Sequence, residues 1–176
     1  MRRIAVIVAL GALLGMLGGV VTAAPALAGG RGDGWQVFQP IPPGGVPLAG
    51  FCVFPVLLTV PATKEFAKSL NLPDGSVVTQ ITGALRVSWT NMDTGNTITE
   101  NESGPAQITT FADGSMTMVE HGRNGPVLMP ADAQRFGLPP ISETAGQLTM
   151  SLAPDGSITS LTLHGQVLLD VCAALS

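Results

Sequence analysis

Hydrophobic and polar residues alternate along one long stretch of the chain. Every second position in it carries Val77, Thr79, Ile81, Gly83, Leu85, Val87 and Trp89, and most side chains between them are polar. A period of two is typical of a β-strand with one buried face, because successive side chains point to opposite faces. The stretch is longer than a usual strand, and Gly83 at its middle allows a bend or a bulge. The pattern therefore predicts a strand that belongs to two sheets or to a barrel.

The tripeptide Asp-Gly-Ser occurs three times, each time ahead of apolar and threonine residues. The copies are Asp74-Gly75-Ser76, Asp113-Gly114-Ser115 and Asp155-Gly156-Ser157. Asp-Gly favours the positive φ that tight hairpin turns require, so each copy predicts a hairpin. Residues 92–96, with the sequence Met-Asp-Thr-Gly-Asn, predict a fourth.

The hairpins and the alternation define the predicted strands. These are residues 52–60, 64–72, 77–89, 97–103, 106–111, 116–121, 148–152 and 158–164. The segment 64–72 also fits a short helix capped by Thr63, but strands precede the other Asp-Gly turns, and we favour a strand. We expect an all-β domain, an antiparallel β-barrel of about eight strands that is closed or nearly closed, with a β-sandwich as the alternative. The bend at Gly83 favours the barrel.

Residues 122–144 interrupt this regularity with four prolines among apolar side chains. Loops of such length in compact domains are usually functional or disordered, and the apolar content favours packing. Residues 131–136 can form one helical turn. We predict that the segment lies against one mouth of the barrel, as a plug or a lid, with Phe136, Leu138 and Ile141 buried there.

The first 28 residues have the order of a secretory signal peptide. Arg2 and Arg3 precede an apolar run, and Ala26-Leu27-Ala28 offers a cleavage site. A membrane anchor is the alternative, although several glycines weaken the run as a helix. Residues 29–50 are dominated by glycine and proline, and we expect them to form a tether without regular structure. The folded domain is then residues 51–176.

The chain contains two cysteines, Cys52 and Cys172, and both lie in the exported part. In an oxidising compartment such a pair predicts a disulfide, here between the first strand and the last. Two buried thiols are the alternative. A zinc site lacks the second pair of ligands that it requires.

Composition excludes several classes of partner. The formal net charge is −4, and removal of Arg2 and Arg3 with the signal makes it more negative by two charges, which disfavours nucleic acid and anionic membranes. Aromatic residues are only 5% of the chain and tyrosine is absent, so few rings are available for stacking on sugars or bases. We expect a secreted, extracellular monomer with no membrane association after signal cleavage.

Candidate chemistry is sparse. The Gly-x-Ser-x-Gly motif of hydrolases is absent. His121 and His164 each precede a glycine after an Asp-Gly-Ser strand, and with Glu120 or Asp170 they suggest metal binding or acid–base work, but two histidines are more often strand-end residues. We predict no catalytic residue, no cofactor and no metal site.

Several short motifs resemble a family of small secreted actinobacterial proteins of uncharacterised function. They include Cys52 with Phe54-Pro55-Val56, Thr90-Asn91 with Thr94-Gly95, Asn101 with Ser103-Gly104-Pro105, the turns at Asp74-Gly75 and Asp113-Gly114-Ser115, and the closing Leu169-Asp170-Val171-Cys172-Ala173-Ala174-Leu175. The resemblance covers nearly all of the exported domain, implies a strand within 64–72, and brings no active site.

Two functions remain. The first is non-enzymatic binding of a small apolar ligand or of cell-surface material. The second is a barrel enzyme, an isomerase or cyclase of the allene-oxide-cyclase type, acting on a small apolar substrate; this comparison is one of fold only. Polar groups converging inside the barrel would favour the enzyme, and a filled interior would exclude a pocket for either.

Overall fold

The computed structural model describes residues 34–176. The predicted signal peptide, residues 1–28, and the start of the predicted tether lie outside this range. The elements in chain order are β1 (Gln36–Phe38), β2 (Val46–Leu48), β3 (Val56–Thr63), β4 (Glu65–Asn71), β5 (Val77–Thr82), β6 (Leu85–Asn91), β7 (Thr97–Asn101), β8 (Ala106–Thr110), β9 (Met116–Asn124), α1 (Pro130–Phe136), β10 (Ser142–Leu152), β11 (Ile158–Asp170) and α2 (Val171–Ala174).

The strands form two antiparallel sheets. The larger sheet has the order β1-β4-β5-β8-β9-β10-β11, and the smaller has the order β2-β3-β6-β7. Within residues 34–176 the edge strands of neither sheet pair with each other, so neither sheet closes on itself. The prediction of an all-β antiparallel fold is confirmed. Barrel closure is not seen, and the two sheets fit the β-sandwich that the sequence left as the alternative.

All four predicted hairpins are present. The Asp-Gly-Ser turns join β4 to β5, β8 to β9 and β10 to β11, and residues 92–96 join β6 to β7. In each Asp-Gly-Ser turn the aspartate Oδ1 accepts hydrogen bonds from the serine N–H and Oγ. The glycines have φ between 82° and 85°. The strand favoured for 64–72 is confirmed as β4.

The long alternating stretch belongs to both sheets. Its first half is β5 in the larger sheet, its second half is β6 in the smaller sheet, and the chain changes sheet at Gly83 and Ala84. It also changes sheet at Lys64, between β3 and β4, and at residues 102–105, between β7 and β8. We call these three crossings the corner of the fold. Because the bend divides one predicted strand into β5 and β6, and because β1 and β2 add two more, residues 34–176 contain eleven strands rather than eight.

Backbone hydrogen bonds continue through the corner. The Lys64 N–H donates to the Ala84 carbonyl over 2.8 Å, and the Glu102 N–H donates to the Leu85 carbonyl over 3.0 Å. On the next strand, the His121 N–H donates to the Pro105 carbonyl over 3.0 Å. The two sheets are therefore connected at the corner by hydrogen-bonded strands and not only by loops.

A row of glycines follows the corner from strand to strand. Gly146 on β10 pairs with a glycine on either side, and the row is Gly83, Gly104, Gly122, Gly146 and Gly165. At Gly83 a Cβ would overlap the Lys64 carbonyl oxygen, and at Gly104 it would overlap the His121 carbonyl oxygen. Backbones thus approach at the corner more closely than any side chain permits.

Two hydrophobic clusters fill the interior. One lies under the smaller sheet and contains Trp89, Leu58 and Val87, together with Val171 and Leu175 from the C-terminal end. The other lies under the larger sheet, and its buried members are Ile81, Ile108, Met118, Leu128, Ala133, Met150, Leu152 and Ile158. The apolar positions of the long stretch after Gly83 all point inward, as the alternation predicts.

The described part of the predicted tether, residues 34–50, is more ordered than its composition predicts. Residues 36–38 pair with β4, residues 46–48 pair with β3, and Ile41 and Leu48 are buried in the first cluster. The expectation that this segment builds no ladder is therefore wrong for its described part. Short edge strands can form here because Pro47 needs no hydrogen bond on the outer side of an edge strand.

Candidate functional site

The predicted disulfide is present. Cys52 and Cys172 are bonded across a sequence separation of 120 residues, and no cysteine of residues 34–176 is free. Cys52 precedes β3, and Cys172 lies in α2 directly after β11. The bond therefore connects the smaller sheet to the end of the larger one.

The three candidate lid residues lie on the segment between β9 and β10, which spans residues 125–141. Ile141 is fully buried in the first cluster and forms a bridge with Val127. Phe136 and Leu138 are partly buried against the second cluster. The single helical turn predicted for 131–136 is confirmed as α1. A lid function for these residues stays a prediction.

The two histidines occupy equivalent places in the larger sheet. His121 on β9 and His164 on β11 both pair with Gln147 on the strand between them. Both are exposed, whereas Glu120, the adjacent residue of His121, points into the interior. Among residues 34–176 no group of three or more His, Cys, Asp or Glu side chains is arranged to hold a metal ion.

The most unusual feature is a set of buried glutamates at the corner, which we call the carboxyl cluster. Its members are Glu65, Glu102, Glu120 and Glu143, with exposed fractions of 3%, 4%, 5% and 2%. Ionised carboxylates are almost never buried without a partner, because they lose their hydration. Four in one small domain therefore require a structural or functional reason.

The corner brings these residues together from four places in the chain. Glu65 begins β4 directly after the crossing at Lys64, and Glu102 lies in the crossing between β7 and β8. Glu120 is on β9 and Glu143 is on β10, each near the glycine of its strand. Gly125 contributes by lacking a side chain, since a Cβ there would overlap the Glu102 carboxylate.

One cation partly balances the cluster. The Arg123 Nε donates to Glu143 Oε1, and its Nη2 lies 3.5 Å from Glu100 Oε2 at the rim. The Arg123 side chain is 44% exposed, so it closes the cluster from the solvent side. Its bonds go to Glu143 and Glu100, and no ion pair reaches Glu65, Glu102 or Glu120 from residues 34–176.

Burial changes the acidity of these groups. It raises the pKa of Glu120 from 4.5 to about 7. Burial, followed by repulsion from Glu120, raises the pKa of Glu65 to about 7. Burial and repulsion from the surrounding carboxylates raise the pKa of Glu102 well above its ordinary range. Glu65 and Glu120 therefore titrate between neutral and charged forms near neutral pH.

A small cavity lies among these side chains. Its volume is about 10 Å³, and Glu65, Glu102, Glu120, Arg123 and Asn124 supply its polar walls. Several of the buried atoms have no hydrogen-bond partner in the protein: Glu65 Oε2, both Glu102 carboxylate oxygens and Asn124 Nδ2. Because native proteins satisfy most buried polar atoms, this arrangement marks a candidate binding site.

A larger groove lies next to this cavity. It has a volume of about 430 Å³ and is lined by apolar residues, including Trp35 and Val119, and by the polar Gln80, Gln107 and His121. Three residues at the corner, Ile81, Pro105 and Ala106, line both the groove and the cavity. Ile81 and Ala106 are the last pair between β5 and β8, since the chain leaves the sheet beyond them.

The carboxyl cluster was not predicted from the sequence. One signal was present on β9, where Met116, Met118 and Glu120 share the parity of an inward face. Glu65 and Glu102 gave no such signal, because each lies at a crossing where the alternation is interrupted. His121 reaches the groove, although metal binding or acid–base work was the role considered for it.

Comparisons with known proteins add no identification. No protein-family model matches the chain, and no curated protein or solved structure matches it significantly. Within residues 34–176 no helix has the length and apolarity that a bilayer crossing requires.

Proposed function

We propose that this protein is a secreted, non-enzymatic binding domain that takes a small ligand with an apolar body in the groove beside the corner. The observation that carries the proposal is the groove itself, whose volume of about 430 Å³ is within the usual size range of small-molecule sites. Trp35, Ile81 and Val119 offer apolar contact, and the amides of Gln80 and Gln107 offer hydrogen bonds that orient a ligand.

The groove replaces the barrel interior as the expected place for the ligand. Two apolar clusters occupy the space under the sheets, and the cavity at the carboxyl cluster has room for about one water. A ligand of ordinary size thus fits the groove and does not fit the cavity. Binding of cell-surface material, the other form of the prediction, would use the same open surface.

The proposal includes export and a nearly closed barrel. A signal peptide is supported by the Arg2-Arg3 pair, the apolar run and the Ala26-x-Ala28 site. The disulfide is compatible with an oxidising compartment. The short motifs that resemble the actinobacterial family support membership of that family. Near-closure is supported where the chain ends, since Asn91 Nδ2 on β6 donates to the Leu175 carbonyl over 3.0 Å.

An enzyme of the isomerase or cyclase type is the second candidate. The observation that favours it is the convergence of Glu65, Glu102 and Glu120 inside the fold. Burial raises the pKa of Glu65 and Glu120 to about 7, and such acids suit proton transfer. This function requires the corner to open, since a substrate is larger than the cavity. A ligand recovered chemically changed from wild-type protein, and unchanged from Glu102→Gln, would favour it.

The binding proposal is tested by calorimetric titration of hexanol, a neutral probe with a short apolar tail. Trp35→Ala should weaken the binding of hexanol about tenfold or more, because it removes the largest apolar wall of the groove. Val37→Ala is the matched control, since Val37 is exposed on β1 and does not line the groove. Binding that Trp35→Ala leaves unchanged, or no binding to wild type, would overturn the proposal.

A further inference from the structure

The cavity at the corner has more acceptors than donors. Glu65 Oε2, Glu102 Oε1 and Glu102 Oε2 are buried acceptors without a hydrogen-bond partner in the protein. Asn124 Nδ2 is a buried donor in the same walls, and it too has no partner. When Glu65 and Glu102 are ionised, three acceptors and one donor indicate that an occupant of this cavity must chiefly donate hydrogen bonds.

The charge of the cavity walls also favours an occupant that donates hydrogen bonds. The groups that face the cavity or its rim come from every neighbouring strand: Glu65 from β4, Glu100 and Glu102 from β7 and the crossing, Glu120 and Arg123 from β9, and Glu143 from β10. The guanidinium of Arg123 is engaged by Glu143 and Glu100. Arg123 is the one cation among these groups, and two carboxylates already engage it, so the walls carry an excess of acidic groups and disfavour an anion.

The size of the cavity restricts the occupant further. About 10 Å³ accommodates a group the size of one water molecule. A primary ammonium has about this size, and it offers three N–H donors and no acceptor. A water offers only two donors and no charge. A metal ion is disfavoured, because the acids of residues 34–176 form no group of three ligands arranged around one point.

We propose that the carboxyl cluster binds a primary ammonium group whose apolar tail lies in the neighbouring groove. Glu102 accepts two of its N–H groups and Glu65 accepts the third. The tail leaves the cavity past Ile81, Pro105 and Ala106, the residues that the two spaces share. The ligand class is thus a primary amine with an apolar body, and this inference rests on the groove proposed above as the binding surface.

The proposal predicts a particular pH dependence. Burial raises the pKa of Glu65 and Glu120 to about 7 and that of Glu102 well above its ordinary range, so these groups lose their charge as the pH falls and amine binding should weaken. Alkylammonium groups stay charged up to a pH of about 10. Affinity should therefore rise between about pH 5 and pH 8, and it should not rise for a neutral ligand with the same tail.

The experiment compares hexylammonium, hexanol and hexanoate by calorimetric titration at about pH 8. Wild-type protein should bind hexylammonium at least tenfold more tightly than hexanol, and it should bind hexanoate least. Glu102→Gln should remove this preference, because its amide keeps the size of the side chain and loses the charge. Asp93→Asn removes an exposed carboxylate in the 92–96 turn and is the matched control.

The outcomes separate this inference from the proposed function. If hexanol binds with dependence on Trp35 and hexylammonium is no tighter, the groove stands and the ammonium site falls. If hexylammonium binds with dependence on Glu102 and not on Trp35, the ammonium site stands and the groove falls. If Glu102→Gln does not fold, the wild-type pH series decides, and an affinity for hexylammonium that does not change with pH overturns the inference.

Discussion

Glu120 shows how the buried acids affect stability. Its folded-state pKa of about 7 exceeds the ordinary value of 4.5, so the folded protein binds the proton more tightly than the unfolded chain does. The stabilisation of the folded state by this bound proton is complete below about pH 4.5, and it is lost as the pH rises towards 7. The same sign holds for Glu65. The protein keeps these groups although they oppose folding at neutral pH, which is typical of residues retained for function.

Glu120→Gln should flatten the dependence of stability on pH. Wild-type free energy of unfolding should fall between about pH 5 and pH 8, with a contribution from Glu120 of about 3 kcal/mol. In the variant that contribution is absent, because an amide does not titrate. Urea denaturation over the pH series measures the contribution of Glu120 to the free energy of unfolding. Asp93→Asn, which removes an exposed carboxylate, is the control. A variant curve parallel to that of wild type would contradict the burial of Glu120.

Among the elements, the corner depends on a close approach of backbones. At Gly83 a side chain would meet the backbone of the neighbouring crossing at Lys64 and Glu65. Its φ of 145° is also one that other residues rarely adopt. Because backbone atoms cannot move aside as a flexible side chain can, the corner depends on glycine at this position.

Gly83→Ala should therefore lower the free energy of unfolding by about 3 kcal/mol or more, or prevent folding. Ala84→Ser, at the adjacent exposed position, should change it by less than about 0.5 kcal/mol. Thermal and urea unfolding of both variants provide the comparison. Equal stability of the two variants would show that the corner tolerates a side chain.

The segment between β9 and β10 is attached to β11 through α1. Arg135 Nη1 donates to the Ile158 carbonyl over 3.0 Å, and its guanidinium lies 4.7 Å from the centre of the Phe136 ring. Phe136 in turn packs against the second cluster. These contacts are the ones that would break if the segment opened as a lid.

Phe136→Ala distinguishes a plug from a lid. As a plug, the segment should lose about 1–2 kcal/mol of stability, because the ring is only partly buried, and hexanol binding should not change. As a lid, the change should alter hexanol binding more than it alters the melting temperature. Gln134 is exposed on the same helix, so Gln134→Ala should change neither the stability nor hexanol binding. Rapid native proteolysis of residues 125–141 would contradict both roles.

At the scale of the whole molecule, the disulfide restricts the unfolded chain. Cys52 and Cys172 close a loop with a sequence separation of 120, so the bond limits most of the folded domain. In the native state the C-terminal end is also held by Val171 and Leu175, which are fully buried in the first cluster. The bond and this packing act together to keep the end of β11 beside the smaller sheet.

Replacement of both cysteines by serine should lower the free energy of unfolding by about 4–5 kcal/mol in the loop-entropy model. Urea denaturation of the variant and of wild type measures the difference. Wild-type protein should show no alkylatable thiol before reduction and two after it, by mass. A variant as stable as wild type would mean that packing alone fixes the C-terminal end.

Local chemistry explains why much of the fold was predictable. Each Asp-Gly-Ser turn depends on residues within a few positions of one another, so its hairpin can be inferred without knowledge of the rest of the chain. The alternation of Val77 to Trp89 similarly defines its inward face. The cysteine pair needed only the count of two and an oxidising compartment. These features are short-range or compositional, and the structure confirms them.

The sequence by itself determined the antiparallel β class, the four hairpins and the disulfide partners. The tertiary structure alone decided that the long stretch divides between two sheets, that residues 36–38 and 46–48 join them, and that Glu65, Glu102, Glu120 and Glu143 meet at the corner. Their convergence depends on pairings between strands far apart in the chain. A glutamate in a strand gives no sign of burial until the neighbours that remove it from water are known.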